Sequence, residues 1–168
     1  NPDFSAGNTN GWDLGFTKGE NVTNLGYQGA SHKNDKYTYV NHNNEEVNPN
    51  CDKFIEGWAA NGTKFGSYPY STLGDGYLSQ TLKSLPAGKY KFTCDAISVQ
   101  QYAALDRTGG VQLFAVGGDI DVNKEIITGN GIPEHVELTF VSSGGNVTLG
   151  LRTVNTQANW IAADNFEL

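Results

Sequence analysis

An alternation of apolar and polar residues with a period of two dominates this chain. The segment GKYKFTCDAI, residues 88–97, places Tyr90, Phe92 and Cys94 on one face and two lysines, a threonine and an aspartate on the other. Residues 136–140 and 147–151 repeat this alternation on either side of an SSGG turn. A period of two is typical of a β-strand that buries one face. The pattern therefore predicts antiparallel strands joined by short turns.

Several other segments have the same character. A Pro-Gly turn, KSLPAG, follows one of them, and a Gly-Gly turn ends another. No amphipathic helical stripe of three turns is present, because Gly, Asn and β-branched residues interrupt every candidate. About eight to ten strands without a convincing linker predict one antiparallel jelly-roll β-sandwich over residues 1–168. The further strand-like segments are FIEGWA (54–59), GYLSQTL (76–82), GVQLFAVGG (110–118) and WIAADNFEL (160–168).

Composition and charge narrow the classes of partner. With 168 residues, 38% apolar and 17% charged, the chain has the composition of one globular domain. A net charge of -7 leaves no basic surface for a phosphate backbone, so nucleic acid is not an expected partner. No run approaches the roughly 20 apolar residues that span a bilayer, so membrane insertion is not expected. Because the chain begins with Asn1, we interpret it as a mature or excised segment.

The two cysteines leave two alternatives open. Cys94 lies at an apolar position of a predicted strand, which favours a buried thiol. A disulfide between Cys94 and Cys51 would instead require an oxidising compartment.

Three stretches of the chain are distinctive: NPDFSAGNTNGW (1–12), YLSQTLKSLPAGKYKF (77–92) and GNVTLGLRTVNTQANWIAADNFEL (145–168). In that order they resemble the galactose-binding-like β-sandwich domains of carbohydrate-binding modules. They are similar to module families four, nine and twenty-two, and most similar to modules attached to surface glycan-utilisation proteins and glycoside hydrolases of Bacteroidetes. The resemblance spans the chain from end to end and so implies one complete module.

This resemblance implies a structural metal. In such modules the first and last strands lie side by side, and the aspartate of a C-terminal Asp-Asn pair commonly helps to hold calcium near that seam. Here that aspartate is Asp164, which could supply one of the six to eight oxygens that calcium requires. Related modules often carry Glu where this chain has Ser5, so the ligand set departs from the pattern. The alternative role for Asp164 is to cap a turn or accept hydrogen bonds from backbone amides.

Sugar binding requires aromatic rings that stack on the apolar faces of a pyranose and polar side chains that reach its hydroxyls. The resembling modules bind sugars on a concave sheet face or in loops at one edge. Tyrosines clustered in irregular segments favour the loop edge here, although each residue could equally be ordinary surface or core. The predicted ligand-binding residues are Trp58, Tyr68, Tyr70, Gln101, Tyr102 and Arg107.

We therefore expect a non-catalytic carbohydrate-binding module that is monomeric and part of a larger extracellular or cell-surface protein. Such a module would target a tethered enzyme or surface protein to glycan by avidity. Two rival functions remain. One is a structural or protein-interaction sandwich that binds no sugar. The other is a small glycan-active enzyme, which would need two carboxylates that face each other across a cleft. No hydrolase elbow or spaced metal-binding histidines support catalysis.

Overall fold

The described residues form two five-stranded antiparallel sheets. The computed structural model describes residues 4, 6, 8–16, 26–29, 53–59, 72–100, 109–128 and 134–168. Within these ranges no helix occurs, and none therefore is long and apolar enough to cross a membrane. The strands are β1 (Asp13–Phe16), β2 (Gly26–Gly29), β3 (Lys53–Trp58), β4 (Gly76–Leu85), β5 (Gly88–Val99), β6 (Val111–Gly117), β7 (Ile120–Glu125), β8 (Glu134–Ser142), β9 (Gly145–Thr153) and β10 (Trp160–Glu167).

The first sheet has the strand order β1-β4-β9-β6-β7, and the second has the order β2-β3-β10-β5-β8. The predicted all-β jelly-roll sandwich is confirmed. The predicted turns join strands in an order that the alternation alone did not reveal. KSLPAG connects β4 to β5 and SSGG connects β8 to β9, and both connections cross from one sheet to the other. Only the Gly-Gly turn closes a hairpin, β6 with β7, where Gly118 has a φ of 61°.

The core lies between the two sheets and is built by the alternation seen in the sequence. Phe92, Cys94 and Ala96 of β5 belong to the same core cluster as Leu149 and Leu151 of the other sheet, and all are nearly inaccessible. Burying each large apolar side chain contributes about 1.5–3 kcal/mol to folding.

Cys94 carries a free thiol, as the first alternative predicted. Its burial, and then the nearby Asp95 and Asp164 carboxylates, raise the pKa of that thiol far above its usual range. Cys51 lies outside the described residues.

The opening segment NPDFS, which the resemblance places beside the last strand, lies outside the described residues except for Phe4, so that pairing stays a prediction. Strand β1 follows this segment and pairs with β4 in the first sheet, whereas β10 pairs with β3 and β5 in the second. Side chains connect the N-terminal region to the last strand. The rings of Phe4 and Trp12 lie 6.1 and 5.0 Å from the ring of Phe166. Aromatic packing across the end of the sandwich therefore joins the two termini.

Candidate functional site: a groove on the first sheet

Two adjoining cavities form a groove on the outer face of the first sheet. Their volumes are about 540 and 480 Å³, within the range of small-molecule sites. Tyr77 and Phe114 line both cavities and so lie at the boundary between them. The larger cavity is also lined by Gly15, Asp75, Gly76, Arg152, Thr153 and Val154, and the smaller by Asp13, Leu14, Ser79 and Thr148.

Strand alternation places the polar lining on this face. In β9, Leu149 and Leu151 point into the core, so Arg152 and Thr148 point outward. The same parity turns Tyr77 outward in β4, next to Leu78, whose side chain is buried in the core. Gly150 occupies the outward position between Ser79 and Phe114 and adds no side chain there. The absence of a side chain at Gly150 therefore leaves space on the sheet surface beside Tyr77 and Arg152.

Tyr77 is the exposed aromatic residue of the groove, with 45% of its surface accessible. Its cross-strand neighbour in β1 is Gly15. A Cβ atom at Gly15 would overlap Cε1 and Cζ of the tyrosine ring, so glycine is what allows the ring to lie over β1. An accessible, laterally supported ring is the kind of platform on which the apolar face of a sugar stacks.

Arg152 supplies the positive charge of the groove. Its guanidinium carbon lies 5.1 Å from the centroid of the Phe114 ring, and its Nε donates a 2.8 Å hydrogen bond to Oε1 of Gln112. Phe114 itself is only 6% exposed, so the guanidinium covers the ring and replaces it as the accessible surface. Arg152 can therefore reach polar groups of a ligand while Tyr77 offers the apolar contact.

The end of the groove is held by hydrogen bonds between its two flanking segments. Asp75 accepts a 2.7 Å hydrogen bond from the backbone N–H of Asn155 through Oδ1. Thr153 donates from Oγ1 to the carbonyl oxygen of Gly74 at 2.7 Å. Near the other end, the hydroxyls of Thr81 and Thr148 are 2.9 Å apart. Side chains that line the groove thus belong to segments fixed to the sheet, as a preformed site requires.

The outer face of the second sheet is different, because its side chains around β10 and the end of β5 are buried. Phe54, Ile97, Val99, Trp160 and Ala162 form a second apolar cluster there. Next to this cluster, Asp95 accepts hydrogen bonds from Asn165 Nδ2 at 3.0 Å and pairs with His135 Nδ1 at 2.9 Å. Farther along, an exposed 2.7 Å ion pair with Lys91 holds the pKa of Glu137 below its usual value.

Asp164 lies on this second face and is fully buried. In the backbone register of β10 and β5, Asp164 lies opposite Asp95. The next residue, Asn165, has a φ of 53° at a bulge in β10. The described residues contain no group of three or more His, Cys, Asp or Glu side chains that could hold a metal ion. Ser5, the position at which related modules often carry Glu, lies outside the described residues, as do residues 1–3 and 7. Calcium at Asp164 therefore stays a prediction.

The predicted loop-edge site is not described by the structure. The Trp58 backbone ends β3 opposite Trp160, but its side chain lies outside the described part of the chain. Tyr68, Tyr70, Gln101, Tyr102 and Arg107 also lie outside it. These residues stay predicted ligand-binding residues.

Sequence reasoning did not single out the groove residues, although a signal for two of them was present. In GYLSQTL, Tyr77 shares its parity with Ser79 rather than with the buried Leu78. In GVQLFAVGG, Phe114 likewise shares its parity with Gln112. An aromatic residue at an outward strand position indicates a surface that packing alone does not explain. The sequence did not show that the two strands flank the same central strand, β9.

Comparison with solved structures identifies the fold. The module TmCBM61, solved in complex with β-1,4-galactotriose, superposes with a TM-score of 0.57 at 14% identity, covering 98% of this chain and 92% of that one. The CBM22-1 xylan-binding domain of Paenibacillus barcinonensis Xyn10C gives 0.54 at 12% identity, with 98% and 88% covered. This chain has the galactose-binding-like fold of carbohydrate-binding modules.

The same fold is also found in a protein of another class. A cyclase from Fischerella sp. TAU, in complex with 4-(1H-indol-3-yl)butan-2-one, matches with a TM-score of 0.55 at 20% identity, covering 94% of this chain and 83% of that one. No protein-family model matches the sequence, and no curated protein matches it in sequence. At these identities the comparisons establish the fold of this chain, and its function must be argued from the groove.

Proposed function

We propose that this module binds carbohydrate, without catalysis, in the groove on its first sheet. The observation that carries the proposal is the pairing of the exposed Tyr77 ring with the Arg152 guanidinium on one 540 Å³ cavity. A pyranose has apolar faces and hydroxyl edges, so it needs a ring to stack on and donors at the side. The nearby Asp75, Ser79 and Thr148 add polar atoms to the same groove.

The structural neighbours support this proposal. Two modules of the same fold are described with β-1,4-galactotriose and as xylan-binding, respectively. We extend this function to the present chain because its groove offers matching chemistry. In the finer form of the proposal, the module is a monomeric part of a larger secreted or surface-anchored protein. It keeps a tethered enzyme or receptor close to glycan by raising the local concentration of both.

The proposal is tested by affinity electrophoresis in gels that contain β-1,4-galactan, xylan, mixed-linkage β-glucan or polygalacturonate. We expect at least one polysaccharide to retard the wild-type protein. Tyr77→Ala should weaken the binding about tenfold, because it removes the stacking surface. Val141→Ala is the matched control, since Val141 is 67% exposed on β8 of the other sheet. Retardation by none of the four would contradict the proposal.

The loop-edge prediction is separated from the groove by the same assay. Trp58→Ala and Tyr102→Ala should leave retardation unchanged if the groove is the site. If these two variants lose binding while Tyr77→Ala keeps it, the module binds carbohydrate at its loop edge and the groove assignment is wrong.

A catalytic role is the second candidate, because an enzyme shares the fold. Incubating the wild-type protein with the polysaccharide that retards it, followed by chromatography of released oligosaccharides, distinguishes the two. Products that disappear in an Asp13→Asn or Asp75→Asn variant would support catalysis in the groove. Retardation without products supports a binding module.

A further inference from the structure

A cross-strand row of side chains leads from the groove to the edge of the first sheet. The backbone register places Tyr77 opposite Arg152, Arg152 opposite Gln112, and Gln112 opposite Glu125. These four outward positions belong to β4, β9, β6 and β7. Side chains opposite one another on a sheet face lie about 4.5–5.5 Å apart at Cβ, so the row can act as a connected unit.

Three hydrogen bonds connect the last three residues of this row and anchor them to the backbone. Arg152 Nε donates to Gln112 Oε1 at 2.8 Å, and Gln112 Nε2 donates to Glu125 Oε1 at 2.6 Å. Glu125 Oε2 in turn accepts the backbone N–H of Gly110 at 3.0 Å. The amide of Gln112 is thereby used in one direction only, with its oxygen toward the arginine and its nitrogen toward the glutamate.

The arrangement restrains the guanidinium but leaves its far side available. The Phe114 ring supports the guanidinium on one face, and Gln112 fixes Nε. Among the residues that the structure describes, the terminal amino groups of Arg152 have no hydrogen-bond partner. Glu125 offsets the positive charge from behind Gln112, and its two carboxylate oxygens are used by Gln112 and the Gly110 backbone. A flexible arginine would lose rotamer freedom on binding, and this one has already lost it.

We propose that Gln112 and Glu125 are positioning residues of the carbohydrate groove, which act through Arg152 and touch no ligand themselves. This inference rests on the proposed binding function. Gln112 and Glu125 hold the guanidinium so that its two terminal amino groups meet two neighbouring oxygens of a sugar. The geometry matters because a planar fork recognises a pair of oxygens only in one orientation.

Exchange of the acid and the amide tests the role without removing the network. Gln112→Glu alone places two carboxylates side by side, and Glu125→Gln alone removes one acceptor. The double variant Gln112→Glu/Glu125→Gln restores every hydrogen bond: the carboxylate at 112 accepts from Arg152, the amide at 125 donates to it, and the amide oxygen accepts from Gly110. Net charge is also unchanged. Affinity is measured by calorimetry with whichever of β-1,4-galactan, xylan, mixed-linkage β-glucan and polygalacturonate retards the wild type.

We expect each single variant to bind about three- to tenfold more weakly and the exchanged double variant to return within about twofold of wild type. In an Arg152→Ala background the single variants should change affinity by less than about twofold, because the residue through which they act is gone. A purely structural role would lower urea stability in both backgrounds and would not give this dependence.

The outcomes separate this inference from the binding proposal. If Arg152→Ala weakens binding while the single variants bind as wild type, or the exchange fails to restore affinity, the positioning role is wrong and carbohydrate binding stands. The positioning role is also wrong if the single variants weaken binding equally without Arg152. If wild type binds none of the four polysaccharides, the proposed function fails and the positioning role fails with it.

Discussion

The outer faces of the two sheets are made from similar residues but are in opposite environments. Each face carries aromatic rings, carboxylates and a basic side chain at alternate strand positions. On the first sheet Tyr77 is 45% exposed and borders an open groove. On the second sheet Trp160 is 5% exposed, and Asp95 and Asp164 are buried. The same binary pattern has thus produced an open groove on one side and a second layer of packing on the other.

The comparison teaches that strand alternation determines which face a side chain takes, not whether that face meets solvent. Thr93, Asp95, Ile97 and Val99 point away from the main core and would be assigned to the surface by period alone. All four are buried. Polar groups survive there because they find partners, as Asp95 does with His135 and Asn165.

The largest expected effect comes from truncating the second face. Trp160→Ala should lower the free energy of unfolding in urea by about 3–5 kcal/mol, because Trp160 is packed with Phe54 and Val99. Tyr77→Ala is the matched aromatic truncation on the open face, and it should change the free energy of unfolding by less than about 1 kcal/mol. If Trp160→Ala does not fold, Trp160→Phe should show a smaller loss in the same direction. Equal losses for Tyr77→Ala and Trp160→Ala would break the comparison.

Calcium bound at Asp164 would add a further difference between the outer faces of the two sheets. If calcium binds at Asp164, adding it to chelator-treated protein should raise the unfolding free energy by about 2.7 kcal/mol at a hundredfold excess over its Kd, because only the native state holds the site. The raised melting temperature should vanish in Asp164→Asn and persist in Asp119→Asn, an exposed acid at the β6–β7 turn. No shift with calcium in the wild type would show that Asp164 has only a packing and hydrogen-bonding role.

The smallest effect is expected at Gly15 in the groove. Gly15→Ala should push the Tyr77 ring from its place over β1, because the added methyl group overlaps the ring. The tyrosine ring can rotate away, so unfolding free energy should change by less than about 1 kcal/mol while glycan affinity falls about threefold or more. Urea unfolding of Gly15→Ala and Tyr77→Ala measures the change in unfolding free energy, and calorimetric titration of each variant with glycan measures the change in affinity. Unchanged affinity in Gly15→Ala would mean that the present ring position is not the one that binds.

Much of the architecture could be predicted from local pattern. The strand over residues 88–97 was evident because Tyr90, Phe92 and Cys94 alternate with charged and hydroxylated residues, and β5 indeed runs from Gly88 to Val99. Such a pattern depends only on neighbours along the chain. The pairing of strands does not, and the turns KSLPAG and SSGG proved to cross between sheets.

The groove shows most clearly what required the tertiary structure. The sequence by itself determined the all-β class, the inner core positions and the outward parity of Tyr77, Phe114 and Arg152. Only the folded chain brought β4, β9 and β6 side by side, so that residues 77, 152 and 114 line one cavity. It also decided that this face is open and that the region around Trp160 on the other sheet is buried. Period two is a property of each strand alone, whereas register and exposure depend on contacts between residues far apart in the chain.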